Sequence, residues 1–482
     1  MTEQLKPEAV FRWFGEINKV PRPSNKEEKM QEFLVGVGNR LGLDTRKDET
    51  GNVIIRKPAT PGMENRATVI VQSHMDMVCE KVAGLNFNFL TDPIETYVED
   101  GWMRARGTTL GADDGIGVAM ELALLEAEDI EHGPIECVFT VAEETSLGGA
   151  SGMKAGFMTG KYLLNLDSED EGQIFISCAG GGNLQAFFDV EKAEAREGDW
   201  FFKVSVAGLV GGHSGDDIEK KRANANKLLF RVLHKLLDYD LRLVDIQSGG
   251  LHNAIPRDGY ALCAVPATER DRVAADFNML TAAFREEYAV TERSMEFALE
   301  TAETQAETLT EDLTQRLVKA VIAAANGVFD MSQDIEGFVE TSSNLASVRL
   351  QGDVIRLSAM QRSNLTSKRL YATAALRCVF ELAGARVETN AGYPGWHLNP
   401  ESPLLKITVD AYTRLFGHEP LVRAIHAGLE CGLFSEKYPE IDMVSFGPTL
   451  RGVHSPDERL EVATVQMVWD HLLEVLKNIP EA

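Results

Sequence analysis

The chain has 482 residues, 44% hydrophobic and 25% charged, the balance of a folded globular protein and not of a disordered or fibrous one. A single core rarely grows beyond about 250–300 residues, so two domains are expected. Forty-eight basic against 74 acidic residues give a net charge of −26, which repels nucleic acid and anionic membranes, so neither is expected as a partner.

The opening MTEQLKPEAVFRW has neither a basic start nor an apolar run, so no signal peptide is expected. No stretch of about 18 apolar residues marks a membrane span. Cys79, Cys137, Cys178, Cys263, Cys378 and Cys431 are sparse and form no CxxC pair. Disulfide scaffolds are short and cysteine-dense, so reduced thiols and a cytoplasmic location are expected.

Met30, Phe33, Leu34, Val37 and Leu41 follow helical spacing and predict an amphipathic helix over 27–41. The β-branched run Ala67 to Gln72 predicts a strand, followed directly by Ser73-His74-Met75-Asp76. Gly111-Ala112-Asp113-Asp114-Gly115 opens a predicted helix running from Ile116 towards Glu128. A second strand, Ile135 to Val141, leads into Ala142-Glu143-Glu144, and a third, Tyr162 to Leu166, ends at Asp167. Glu169-Asp170-Glu171 reads as a solvated turn. Near the C-terminus, Ile441 to Phe446 runs into Gly447-Pro448, with His454 shortly after.

Strands alternating with helices predict an α/β domain with a mostly parallel central sheet. Between about 184 and 394 the pattern changes. Strand-like runs (Trp200 to Val206, Tyr260 to Val265, Val354 to Ser358) mix there with helical ones (Ala223 to Tyr239, Glu311 to Ala325). The expected organisation is a discontinuous domain of residues 1–183 and 395–482, interrupted by an α+β domain of residues 184–394. Within the insert, Ser248-Gly249-Gly250-Leu251-His252-Asn253-Ala254-Ile255-Pro256 faintly echoes Thr341-Ser342-Ser343-Asn344-Leu345-Ala346, as an internal repeat or a coincidence.

A potential metal ligand thus stands at or just past the end of four predicted strands, where open α/β sheets place their sites. Imidazole with carboxylate oxygen suits zinc, manganese or cobalt. His74, Asp76, Asp113, Glu143, Glu144, Asp167 and His454 exceed what one four-coordinate ion with an open position needs, and suit two ions sharing a carboxylate. Each residue alone has an ordinary reading: a satisfied histidine, a helix N-cap, a solvated glutamate pair. Their joint placement in one α/β unit points to a site instead.

His74-Met75-Asp76, Gly111-Ala112-Asp113-Asp114-Gly115, Glu143-Glu144, Asp167 and the late His454 together resemble the M20 metallopeptidase family. Longer stretches carry the same resemblance: Ile55 to Thr60, Ala105 to Asp113, Gly211-Gly212-His213-Ser214-Gly215, Asn253 to Arg257, Tyr393-Pro394-Gly395-Trp396 and His426 to Gly432. The resemblance implies a zinc-peptidase-like catalytic domain with an inserted lid that also dimerises. It implies two Zn²⁺ per chain, with Co²⁺ or Mn²⁺ as substitutes. Asp113 would bridge both ions, His74 and Asp167 would complete one shell, and Glu144 and His454 the other. Glu143 would be the general base and acid, and Asp76 would orient His74. A cis peptide between Asp113 and Asp114 is implied as well.

The same resemblance implies cleavage of unblocked dipeptides, Xaa-His such as β-Ala-His among them. His213 would donate to the developing oxyanion, from its own chain or a partner's. Arg362, with Asn253 and the backbone around Gly428, would hold the substrate carboxylate, a task that suits the guanidinium fork. Two departures stand out: Asp114 where relatives often carry Asn, and His252 where Arg might precede Asn253. Alternatives on the same scaffold are an N-acyl-amino-acid amidohydrolase or a tripeptidase. A non-catalytic peptide-binding protein is disfavoured, because Glu143 and all five ligands are present.

Overall fold

Val69-Ile70-Val71 is apolar on every residue, the pattern of a strand covered on both faces. In the computed structural model, which describes residues 5–482, that run is the centre of an eight-stranded sheet. Strand order across the sheet is Asp44–Lys47, Val53–Lys57, Ile135–Thr140, Val69–His74, Tyr162–Asn165, Asp442–Ser445, Gln173–Cys178, Leu421–Ile425. The four strands in the middle, Ile135–Thr140 to Asp442–Ser445, pair parallel with one another. The flanking strands Val53–Lys57 and Gln173–Cys178 run antiparallel, so the sheet is mixed at its edges. Asp44–Lys47 is antiparallel too, joined to its neighbour by a short hairpin, a connection only antiparallel strands allow.

The register sets the site. His74 lies beside Thr140, Gln72 beside Asn165, and Ser445 beside Asn165. The carboxyl ends of four strands therefore finish side by side. The helix Ala112–Glu126 is buried nearly all round and shares the core with the helices Glu8–Ile17 and Val462–Lys477.

The chain divides into two compact units: Met1–Ser177 with Trp396–Ala424 and Leu429–Ala482, and Cys178–Gly395 with Ile425–Gly428. Residues 425–428 thus group with the second unit, although a boundary at 395 assigns them to the first. The hydrogen bond between Ser342 Oγ and His426 Nε2, 2.7 Å, belongs to that grouping.

The second unit is built on an antiparallel sheet. Its order is Glu296–Thr301, Asp199–Ala207, Gly259–Pro266, Arg242–Gly249, Val339–Gln351, Val354–Ser363, Gly180–Asp189, Arg386–Thr389. One face is apolar: Leu184, Ala186, Ile355 and Leu357 join a core with Leu228, Leu317 and Leu376 of three helices. The two segments that echo each other in sequence start from adjacent central strands, paired antiparallel as Gln247 to Arg349 and Gly249 to Ser347. Among the described residues, no helix is long and apolar enough to cross a membrane.

Gly117 lets the helix Ala112–Glu126 lie close to the central strand. A Cβ there would stand 2.4 Å from Asp114 Oδ1 and 2.5 Å from Ser73 Oγ. Gly117→Ala is expected to destabilise the protein by about 1–3 kcal/mol through overpacking. Chemical denaturation measures this, and a wild-type midpoint would contradict the packing described.

Candidate active site

His74 ends its strand, Asp167 follows the next strand by two residues, and Glu143 and Glu144 open a short helix after Ile135–Thr140. Asp113 sits at the start of Ala112–Glu126, where its own backbone and that of Asp114 depart from helical angles. The Asp113–Asp114 peptide is cis, as the family resemblance implied. His454 arrives from a loop and takes a left-handed backbone conformation, φ 62°, uncommon for a residue other than glycine.

These side chains converge around Asp113. Its Oδ1 lies 3.0 Å from His74 Nε2, and its Oδ2 lies 3.2 Å from His454 Nε2. His74 Nε2 is also 3.5 Å from Asp167 Oδ1, and His454 Nε2 is 3.0 Å from Glu144 Oε2. Two triads result, His74–Asp113–Asp167 and Asp113–Glu144–His454, each compact enough to hold a metal ion. Glu143 joins a third such group with His74 and Glu144.

Asp76 works behind this set. His74 Nδ1 faces the Asp76 carbonyl oxygen at 3.2 Å and its carboxylate at 3.5 Å, which leaves Nε2 for the centre. The same carboxylate accepts from the backbone N–H groups of Glu143, 3.1 Å, and Glu144, 3.4 Å. One buried carboxylate therefore orients an imidazole and presents both glutamates.

The electrostatics of the cluster fit cations. Burial pushes the Glu143 and Glu144 carboxyls up, with neighbouring carboxylates adding to it, and lifts Asp167 to about 7. For Asp113, burial is outweighed by His454 and His74, which hold its carboxyl below the usual range. Asp113 and Glu144 in turn raise His454 to about 11. Burial opposes the charged form of His74, but Asp167, Asp113 and Asp76 push its pKa well up. Like charges this close ionise together only when positive charge is supplied. Glu144 Oε1 is buried with no hydrogen-bond partner, an acceptor left over for such a charge. The donor set of imidazole and carboxylate suits zinc, cobalt or manganese.

The sequence reading missed the groups that hold Asp113 in place. Glu458, buried, accepts from the backbone N–H groups of Leu110 (2.8 Å), Gly111 (3.1 Å), Ala112 (2.8 Å) and Asp113 (3.4 Å). Arg22, also buried, donates to the Gly111 carbonyl at 2.6 Å. Burial lowers the Arg22 pKa to about 10, while Glu458 is the first of the acids opposing that fall. The one signal in the sequence was an acid four residues after His454.

A buried polar row, also missed, lies just below the ligands. Thr140 Oγ1 and Gln72 Nε2 both donate to Glu430 Oε2 at 2.6 Å. Asn165 Nδ2 donates to Gln72 Oε1 at 2.7 Å, and Ser445 Oγ donates to Asn165 Oδ1 at 2.5 Å. The row crosses four neighbouring strands, and Gln72 and Asn165 stand two residues before His74 and Asp167. Glu430 is buried, and burial lifts its carboxyl to about 7.

In the second unit, Arg362 is buried, 3% exposed, and no carboxylate among the described residues pairs with it. Its Nη1 donates to Tyr393 Oη at 3.0 Å, and Nη2 lies 3.3 Å from His213 Nε2. Gly428 packs on the same tyrosine: a Cβ there would come within 2.8 Å of the Tyr393 ring. Burial, reinforced by Arg362, lowers His426 to about 3, so that ring stays neutral. The structure therefore gathers Arg362, His213 and Gly428, and adds Tyr393, a residue quoted in the family-like stretch without a role. No side-chain hydrogen bond among the described residues draws Asn253 into this cluster. It lies in an exposed turn, where its carbonyl accepts from Ser214 N at 2.8 Å.

Comparison with known proteins agrees with this architecture. The family model described as peptidase family M20/M25/M40 matches residues 70–478. The chain is 40% identical over 478 residues to the cytosol non-specific dipeptidase of Escherichia coli (strain K12), covering 99% of both proteins. Among solved structures it resembles aminoacylhistidine dipeptidase from Vibrio alginolyticus, with a TM-score of 0.91 and 42% identity over 99% of this chain and 98% of that one. Aminopeptidase PepT from Bacillus cereus shares the fold at a TM-score of 0.64 and 18% identity, covering 99% of each chain. The chain belongs to peptidase family M20/M25/M40 and is a hydrolase of peptide bonds.

Removing the Glu458 carboxylate would strand buried N–H donors and leave Arg22 without its strongest acidic neighbour. Glu458→Ala should cost about 3–5 kcal/mol, as losing one member of a buried charged set does. Denaturation of the metal-free protein measures it, and a loss within surface-mutation scatter would contradict the role given to Glu458.

Proposed function

We propose that this protein is a metal-dependent dipeptidase that cleaves unblocked dipeptides, Xaa-His such as β-Ala-His among them. The observation that carries the reading is Asp113, whose two carboxylate oxygens face two separate histidine–carboxylate triads. His74, Asp113 and Asp167 would hold one divalent cation, and Asp113, Glu144 and His454 the other. Zinc is the proposed ion, with cobalt or manganese as substitutes. When bound, such a pair supplies an acidified water and polarises a carbonyl.

The residues of the chain do the rest. Glu143 takes the proton of the attacking water and returns it to the leaving amine. Burial raises the pKa of its carboxyl, which favours taking up that proton. Asp76 keeps His74 in the tautomer with Nε2 free and fixes where Glu143 starts its helix. The cluster of the second unit recognises the free carboxylate of a dipeptide. Arg362 is its buried cation, Tyr393 holds one guanidinium nitrogen, and the Gly428 backbone packs beside that ring; His213, next to the guanidinium, would donate to the developing oxyanion. A buried guanidinium with no acidic partner is matched to an anionic ligand.

The full-length similarity to two proteins named as dipeptidases supports this reading over a tripeptidase or an N-acyl-amino-acid amidohydrolase. The name of the Escherichia coli relative supports a cytoplasmic location, and a homodimer through the second unit is part of the same proposal.

Turnover of β-Ala-His, Gly-Gly, Leu-Gly-Gly and N-acetyl-Leu, with and without chelator and added Zn²⁺, tests it. Chelator-sensitive cleavage of the dipeptides alone is expected. Cleavage of only the tripeptide or the acetylated substrate would overturn the dipeptidase reading. Glu143→Gln should keep the metal content yet lose about 10²–10⁴-fold in kcat; retained turnover would remove it as the base. Arg362→Ala should raise KM for dipeptides with metal content unchanged, and wild-type kinetics would defeat the carboxylate assignment.

A further inference from the structure

The second unit's sheet has a polar face as well as the apolar one under its helices. Along Val354–Ser363, Ile355 and Leu357 enter the core while Arg356 and Ser358 are half-buried on the opposite side. The neighbouring strands continue that face. Ser358 pairs with Ser347 on one side and Gln185 on the other, and Arg356 stands directly opposite Arg349. These residues, with His252, line a cavity of about 410 Å³ in which no lining residue is acidic.

The arginine pair is the anomaly. Like charges directly opposite on neighbouring strands repel and destabilise the pair. Some other half-buried arginines of this chain sit on carboxylates, as Arg231 does on Glu287 and Arg316 on Asp312. Here Arg349 donates only to the Gly249 carbonyl, through Nε at 3.0 Å and also through Nη2. Arg356 has no hydrogen bond or ion pair among the described residues. In a protein with net charge −26, acidic residues to neutralise such a pair are plentiful, and none is placed there.

We infer that this cavity is a binding site for a small multivalent oxyanion, a phosphate ester or a polycarboxylate, held between Arg349 and Arg356. Two guanidinium forks match phosphate and carboxylate oxygens in plane, and the Gln185, Ser347 and Ser358 side chains supply neutral donors beside them. The volume lies at the small end of the range for small-molecule sites, about 300–1,000 Å³. The site is separate from the carboxylate cluster at Arg362. Arg356 and Arg362 share one face of one strand six positions apart, which at about 3.3 Å per residue separates them by about 20 Å. An extended dipeptide reaches about 7 Å. The inference is therefore independent of the peptidase reading.

Calorimetric titration of the full chain with inorganic phosphate and with citrate, at ionic strength matched by chloride, tests it. Saturable binding of at least one probe is expected, weakened at least about tenfold in Arg356→Gln and unchanged in Arg362→Ala. Tighter phosphate binding would point to a phosphate ester, and tighter citrate binding to a polycarboxylate. Because Arg356 has no hydrogen bond or ion pair among the described residues and stands opposite a like charge, Arg356→Gln should melt no lower than wild type in anion-free buffer, and should lose the stabilisation that the probe gives wild type. Absence of saturable binding at millimolar probe, binding unchanged in Arg356→Gln, or binding lost in Arg362→Ala instead would each overturn the site.

Discussion

The site of the first unit depends on one carboxylate being held where it can face two ways. Asp113 directs one oxygen to His74 and the other to His454, and neither contact survives a shift of the loop that carries it. That loop, Leu110 to Asp113, has its backbone N–H groups gathered on the buried Glu458 and its Gly111 carbonyl on Arg22. A buried charge is costly unless it is paired and hydrogen-bonded, so Glu458 and Arg22 have one low-energy arrangement, and the loop shares it. Gly111, at φ 66°, makes the turn that brings the N–H groups together.

The sheet supplies the second constraint. Parallel strands in register bring His74 and Asp167 to the same edge and place the Glu143–Glu144 turn beside them. The polar row from Thr140 through Glu430, Gln72 and Asn165 to Ser445 ties the same strands together one step deeper. Apolar side chains would hold those strands as well, but hydrogen bonds fix their direction as well as their spacing. Asp76 then completes the frame by joining His74 to the helix start at Glu143.

Much of this was legible before the structure. The strand-like runs placed the four central parallel strands within a few residues, and the Gly111–Gly115 motif marked the opening of the helix. The ligand candidates stood out because histidine and acids recur at strand ends, a pattern local in sequence. What stayed hidden was support that acts across the chain. Glu458 lies more than 340 residues from the N–H groups it holds, and Glu430 lies 358 residues from Gln72. No periodicity reports such a pair, since each partner alone reads as an ordinary polar residue. The family-like stretches at Tyr393 and His426 were seen, but only packing shows that both belong with Arg362.

The account stands or falls on Asp113 serving both triads at once. The most direct measurement is the metal content, per chain, of wild type and Asp113→Ala after loading with Zn²⁺ and removal of excess. The account predicts two ions in wild type and the loss of both in the variant, whose circular dichroism should match wild type. One ion retained at full occupancy in Asp113→Ala would contradict the shared carboxylate, and with it the two-ion centre.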